Sequence, residues 1–266
     1  MRHVRCVTLA AIAIIGLASP VCAADPPTEA PAPGAPAAAW TGFYIGADVG
    51  GAWTSNVFNW NPLPSPSLFG SNPISGVSSN AFSALAGLYG GYSWQFAPSW
   101  VVGLEGDWSY TQASNSLRQP WTAQFVGTPG AGQFTYMSQT LDWMTSLRIR
   151  LGYLIMPSLL AYGTGGVEWA HMNYAAYNRN NPAMNLLYVT NVWGSTLQAG
   201  YTVGGGLEWA MTNNWHLRGE YFYSFFQGGP SVVVQDETGD FPGFPSSYAW
   251  GSTSLSVARL GLSYRF

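Results

Sequence analysis

Few residues in this sequence could do chemistry, and their spacing limits what it could be. Beyond the first residues there are two histidines, His171 and His216. Glu208 stands eight residues before His216 across a short turn, so the two can meet as a carboxylate–imidazole pair. Such a pair needs a nucleophile beside it to attack a substrate. No Ser or Thr of this chain stands in a recognisable nucleophile motif. Both cysteines, Cys6 and Cys22, lie in the first 23 residues, and two distant histidines without cysteine make no metal-ligand cluster. We therefore expect no catalytic residue, no metal and no cofactor. What remains is charge. In TSLRIRLGYL, residues 145–154, Arg148 and Arg150 alternate with Leu147, Ile149, Leu151 and Tyr153. That alternation is a β-strand with one polar and one apolar face.

Composition says what surrounds these arginines. Charged residues make up 8% of the chain and aromatic residues 15%, with 13 Trp and 32 Gly. Ordinary soluble domains are about a quarter charged. Disorder is excluded by the hydrophobicity, since it needs low hydrophobicity with high net charge. The nine basic residues, all Arg, are dispersed and outnumbered by twelve acids, which excludes a nucleic-acid partner.

MRHVR, the apolar run CVTLAAIAIIGLA and the small residues before Ala23 read as a secretory signal peptide over 1–23. Residues 24–40, ADPPTEAPAPGAPAAAW, read as an Ala/Pro-rich extended periplasmic linker. No later run reaches about 18 apolar residues, so no transmembrane helix is expected.

From residue 41 to 266 the texture is alternation. It predicts eight strands at roughly 41–54, 81–94, 100–111, 139–153, 159–172, 193–209, 215–226 and 253–266. QFAPS, LIMPS and AMTNN are short turns, whereas 55–80, 112–138, 173–192 and 227–252 read as long loops. Short and long connections alternate along the chain. The expected fold is all-β: an eight-stranded antiparallel up-and-down transmembrane barrel.

Strand parity sorts the side chains. Asp48, Glu105, Asp107, Asp142, Arg148, Arg150, Glu168, Glu208, Arg218, Glu220, Arg259 and Arg265 fall on the face that carries most of the glycines. The opposite face carries the aromatic and aliphatic residues, among them Phe43, Leu88, Trp108, Leu141, Trp143 and Leu260. An eight-stranded barrel has room inside only for ordinary side chains. So many rings do not fit, and they must face lipid, with the charges in the lumen. Trp94, Trp100, Tyr153, Trp209, Trp215 and Tyr264 flank the short turns. Trp53, Phe82, Trp108, Trp143, Trp169 and Tyr223 lie toward the long loops. These make two aromatic belts of the kind set about 25 Å apart in outer-membrane barrels.

WTGFYIGADVGGAW, GGYSWQF, VVGLEGDWSY, LRIRLGYL, LAYGTGGVEWA, TVGGGLEWAMTNNWHLRGEYFYS and the terminal ARLGLSYRF resemble the porin-like surface-antigen barrels of alphaproteobacteria, relatives of the OmpA membrane domain. The resemblance covers about residues 40–266 apart from the long loops. It implies a Gram-negative outer-membrane location, both termini in the periplasm and extracellular long loops. It implies contact with outer-membrane lipid and lipopolysaccharide, and insertion by the barrel-assembly machinery, for which Phe266 would be the terminal signal. Unlike OmpA, this chain ends with the last strand, so a peptidoglycan clamp is not expected.

Pairing across the short turns gives a first register. Trp94 opposite Trp100 sets Glu105 against Tyr89. Tyr153 opposite Leu159 sets Arg150 against Tyr162 and Arg148 against Thr164. Trp209 opposite Trp215 sets Glu208 against His216. Asp48, Glu105, Asp107, Arg148, Arg150, Arg218, Glu220 and Arg259 then fall at similar depth as the lumen-lining charges. Two readings of that layer stand: a polar plug, or a gate whose pairs exchange partners and open a thin ion path. The expected role is a structural envelope protein with small-pore activity. The alternative is a loop-based ligand-binding or adhesion module, using aromatics such as Trp60, Tyr136, Phe226 and Tyr248 on a surface ligand. In that reading Tyr136, His171 and Met172 are candidates toward a haem-like ligand. A lipid-modifying enzyme is the third reading.

Overall fold

The computed structural model describes residues 40–63, 73–120, 134–179, 190–235 and 245–266. Residues 1–39, the expected signal peptide and most of the expected linker, lie outside them. The strands are β1 (Gly42–Pro62), β2 (Ile74–Ala97), β3 (Trp100–Pro120), β4 (Phe134–Met156), β5 (Leu159–Arg179), β6 (Thr190–Ala210), β7 (Trp215–Phe226), β8 (Ser231–Val234) and β9 (Ser246–Arg265). Each of β1 to β6 pairs antiparallel with the next; β7 pairs with β9, and β9 returns to β1, closing a ring of eight strands. The short β8 adds to the upper end of β9.

The outer wall is apolar. Phe43, Ile45, Val49, Leu88, Ile149, Val203 and Leu260 are all at least 58% exposed. At the short-turn end Trp100 packs edge-on to Tyr153 with centroids 5.2 Å apart, and Trp215 to Tyr264 at 5.3 Å. Nearer the other end Trp53 packs on Phe82 at 5.0 Å. A wall this apolar is stable only against lipid, and strand closure satisfies its backbone within the sheet.

Three expectations are corrected. First, the registers slide by two residues. Glu105 faces Gly91, Arg150 faces Thr164, Arg148 faces Gly166 and Glu208 faces Arg218. In both QFAPS and LIMPS the turn is only the Pro-Ser pair, and a residue bulges beside it. Strand pairing therefore runs deeper into the turn than a five-residue loop allows. Because the slip is even, no side chain changes face.

Second, the strands run on through much of the segments expected as loops. Their Ser, Asn and Gly content disfavours strand locally, but cross-strand neighbours and an interior to fill override that preference. Above the charged layer the interior is apolar: Phe58, Met137, Met144, Met172, Phe226, Trp250, Leu255 and Val257 form one buried cluster. Hydrogen bonds cross it. Gln139 Nε2 donates to Thr253 Oγ1 at 2.9 Å, and Trp250 Nε1 to the Ser138 carbonyl at 3.0 Å.

Third, Asp142 and Leu141 exchange faces. The β4–β5 ladder skips Asp142, pairing Leu141 with Met172 and Trp143 with His171. This bulge flips the parity of β4 above it. Leu141 is buried inside, while Asp142 stands partly exposed on the outer wall, bonded by Asn173 Nδ2.

In the upper part the ring divides. The β2–β3 ladder reaches only Leu85–Thr111, and the β6–β7 ladder only Gly200–Phe226. Beyond those points β3–β6 form one sheet, and β2, β1, β9 and β8 a second. The apolar cluster lies between them. Side chains stitch the first seam: Asn115 Nδ2 donates to the Ser79 carbonyl at 2.5 Å, Ser79 Oγ to that of Ser116 at 3.0 Å and Thr111 Oγ1 to that of Ala84 at 3.0 Å.

Candidate functional site: a luminal charge network

Alternation places the charges. Residues two apart on a strand share a face, so β3 directs Glu105 and Asp107 inward, β4 Arg148 and Arg150, and β7 Arg218 and Glu220. β1 adds Asp48 and β9 adds Arg259. All eight are at most 7% exposed. Glu105 stands opposite Arg148 in the β3–β4 ladder, and Glu220 opposite Arg259 in the β7–β9 ladder.

The two pairs join across the lumen. Arg148 Nη2 donates to Glu105 Oε1 and Asp107 Oδ2, each at 2.8 Å, and its Nη1 donates to Glu220 on the far wall. Arg218 Nη1 crosses the other way to Glu105 Oε2 at 2.6 Å, while its Nη2 reaches Asp48 Oδ2 at 3.3 Å. Arg259 lies 3.1 Å from Asp48 and 3.4 Å from Asp107. Arg150 Nη1 donates to Glu105 Oε2 at 3.1 Å and to the Tyr44 hydroxyl at 3.0 Å; its Nη2 donates to Glu208 Oε2 at 2.6 Å.

Glu208 extends the network toward the short-turn end. It accepts from Arg265 Nη2 at 3.2 Å and lies 2.9 Å from His216 Nδ1. Trp40 closes that end. Its ring meets His216 edge-on at 4.9 Å, its Nε1 donates to the Pro157 carbonyl at 3.0 Å, and its own carbonyl accepts from Arg265 Nη1 at 2.6 Å. Five carboxylates (Asp48, Glu105, Asp107, Glu208, Glu220) thus meet five guanidiniums (Arg148, Arg150, Arg218, Arg259, Arg265), and their formal charges cancel. Buried charges are held only when paired and hydrogen-bonded. Glu168, one level higher, accepts from Ser224 Oγ at 2.5 Å and makes no ion pair among the described residues.

Glycines make the room. A Cβ on Gly46 would lie 2.5 Å from the Tyr89 ring, and one on Gly206 would lie 2.8 Å from the Tyr162 hydroxyl. Tyr89 and Tyr162 fill the freed space, with the Arg218 guanidinium 3.3 Å over the Tyr89 ring and that of Arg150 3.9 Å over Tyr162. The ring faces attract the guanidiniums and help hold them in place. The tyrosines, Ser146, Glu208, Arg265 and Trp40 complete a site that the eight charges alone do not define. Parity alone assigns the tyrosines inward, but a neutral side chain gives no other signal of belonging to an ionic cluster.

The remaining candidates separate. Phe266 is 74% exposed at the short-turn end, with its N–H bonded to the Phe43 carbonyl at 2.9 Å. The Glu208–His216 pair is surrounded by Trp40, Arg150 and Arg265, and among the described residues no Ser or Thr hydroxyl bonds to it. His171 stacks on Trp143 on the outer wall, 5.4 Å and 3° apart, whereas Met172 is fully buried and accepts from Gln139 Nε2 at 2.8 Å. Neighbours on a strand point to opposite faces, so His171 and Met172 cannot hold one ligand together. Of the aromatics assigned to loops, Trp60, Phe226 and Tyr248 are buried inside and Tyr136 stacks on Tyr177 at 4.9 Å. Phe69, Trp121, Phe125, Tyr188, Phe241 and Phe244 lie outside the described residues.

Known proteins resemble this chain over its whole length. The profile of a family described as "Outer membrane protein beta-barrel domain" matches residues 10–266. A 31 kDa outer-membrane immunogenic protein of Brucella melitensis is 29% identical over 271 residues, covering 100% of both chains. A 22 kDa outer membrane protein of Rhizobium leguminosarum is 28% identical over 226 residues, 85% of this chain and 80% of that one. Among solved structures, Neisserial surface protein A aligns over 85% of this chain and 98% of its own, at 15% identity and a TM-score of 0.34. The outer membrane protease OmpT of Escherichia coli aligns over 85% and 97%, at 11% identity and 0.45.

Proposed function

Because this chain belongs to the outer membrane protein β-barrel domain family, we propose that it is a structural surface protein of the Gram-negative envelope, with a lumen held shut by paired charges. The observation that carries this reading is the cancellation of five arginines by five carboxylates across the lumen, each wall bonded to the opposite one. An open pore lined by charge keeps water on its ionic groups. Here the ionic groups are buried, and the apolar cluster lies directly above them. Small-pore activity then requires these pairs to break and exchange partners.

The Brucella relative is named for its immunogenicity, which supports a surface role, and the end opposite the short turns is the outer one in barrels of this kind. Phe266, exposed at the other end, serves as the assembly signal in this reading. The envelope role is tested by deleting the gene. The deletion strain should become sensitive to detergent and leak periplasmic enzymes. Wild-type protein should restore it, and so should a variant with the segments 64–72 and 121–133 shortened. Restoration by the full-length protein alone would instead support the loop-based alternative.

A further inference from the structure

We infer that the seam between β6 and the β7–β8 edge takes an extended, uncharged polypeptide segment from outside the molecule as an added strand. β6 pairs with β5 along its whole length, but with β7 only from Gly200 downward. β7 instead follows β9 through Gly229 and Pro230 into β8. Among the described residues, no strand pairs with the outer side of β6 over 192–199.

The exposure pattern agrees. Elsewhere in the upper wall inward residues are mostly buried or half-buried, yet 193–197 are exposed on both faces. Trp193 is 86% exposed, Leu197 52% and, just below, Tyr201 76%. Among the described residues one side-chain bond spans the seam, Gln198 Nε2 to the Gly228 carbonyl at 2.8 Å. The β2–β3 seam, by contrast, is stitched by several side chains.

The chemistry of the opening identifies its occupant. Both sides of the seam are strand edges, β6 and β8, and a free edge presents alternating backbone donors and acceptors. Water satisfies such groups one at a time, but an extended backbone matches the whole row in register. The β6 edge over 192–199, VWGSTLQA, has no charge and no proline, the devices that usually keep an edge from pairing. Its outward row of Trp193, Leu197 and Tyr201 leads to a groove of about 400 Å³ lined by Trp169, Tyr201, Phe225 and Gln227. The added strand should therefore carry apolar residues at alternate positions on its outer face. A second copy does not fit the same edge. Copies in one membrane share their orientation, so two β6 edges meet as crossing strands, each tilted by about 40°, and cannot form an antiparallel ladder.

Two measurements on the refolded barrel test this. Hydrogen exchange of the free protein should show unprotected alternate amides over 192–199, while the facing β5 amides stay protected. Protection there without a partner means that lipid or the chain itself already covers the edge, and overturns the proposal. The probe is a fluorescein-labelled ten-residue peptide of alternating Thr and Val, beside the same peptide N-methylated at alternate residues. The first should bind saturably and protect 192–199. Ser195→Lys/Leu197→Lys should weaken binding by about tenfold or more, whereas Thr140→Lys, on a strand paired at both edges, should leave it unchanged. The methylated peptide should not bind. Absence of binding, equal binding by both variants, or indifference to methylation would overturn the proposal. So would dimers in light scattering that the lysine pair abolishes, since the occupant is then a second copy.

Discussion

Arg148 is the residue on which the luminal network turns, because three carboxylates from two walls converge on it. Without its charge Glu105, Asp107 and Glu220 face one another in a buried space. Breaking a buried pair by removing one partner costs about 3–5 kcal/mol. We expect Arg148→Met to lower resistance to urea unfolding in micelles by that order. Arg118→Met should cost under about 1 kcal/mol, since Arg118 is exposed on the outer wall and, among the described residues, stacks on Phe134 at 4.0 Å without an ion pair. Adding Glu220→Gln to Arg148→Met should recover part of the loss, because it removes one of the stranded charges. Equal losses for Arg148→Met and Arg118→Met, or no recovery in the double variant, would show that the arginine is not held by these acids.

At the scale of the element, the bulge at Asp142 decides what fills the upper barrel. It turns Met137, Gln139 and Leu141 inward and leaves Trp143 outward beside His171. Deleting Asp142 removes the extra residue and joins Leu141 directly to Trp143, so simple alternation should keep Met137, Gln139 and Leu141 inward. The variant should keep its strand signal in far-ultraviolet dichroism and the near-ultraviolet signal of buried Trp250. Loss of that near-ultraviolet signal would mean that Asp142 is not the extra residue. This is also where the sequence stops being legible. The strand order, the closed ring and the inward face of the lower barrel follow from alternation, because one face there is charged and Gly-rich and the other aromatic. Nothing in MSQTLDWMTSL marks Asp142 as the extra residue, so parity carried upward from Arg148 fails at that point. The Pro-Ser turns are legible as turns, but whether two residues or five form each one depends on pairing between strands. Ser- and Asn-rich stretches such as 74–80 become strands only because neighbouring strands and the buried cluster hold them.

For the whole molecule, two closures act in series. Below, the ionic network and Trp40 fill the short-turn end; above, two sheets enclose an apolar cluster bridged by Gln139 and Trp250. The lower closure sits within the lipid-facing belt and the upper one rises beyond it. The molecule thus combines a membrane segment filled by paired charges with an outer portion above it, the arrangement on which the proposed surface role rests. The central claim is that paired charges keep the lumen shut. The most direct test is planar-bilayer conductance of the refolded protein, its folding shown by the heat-dependent gel shift, beside Arg148→Ala/Arg150→Ala. We expect a silent bilayer for the wild type and ion passage for the double variant. Steady channel steps of the same size in both would contradict the claim.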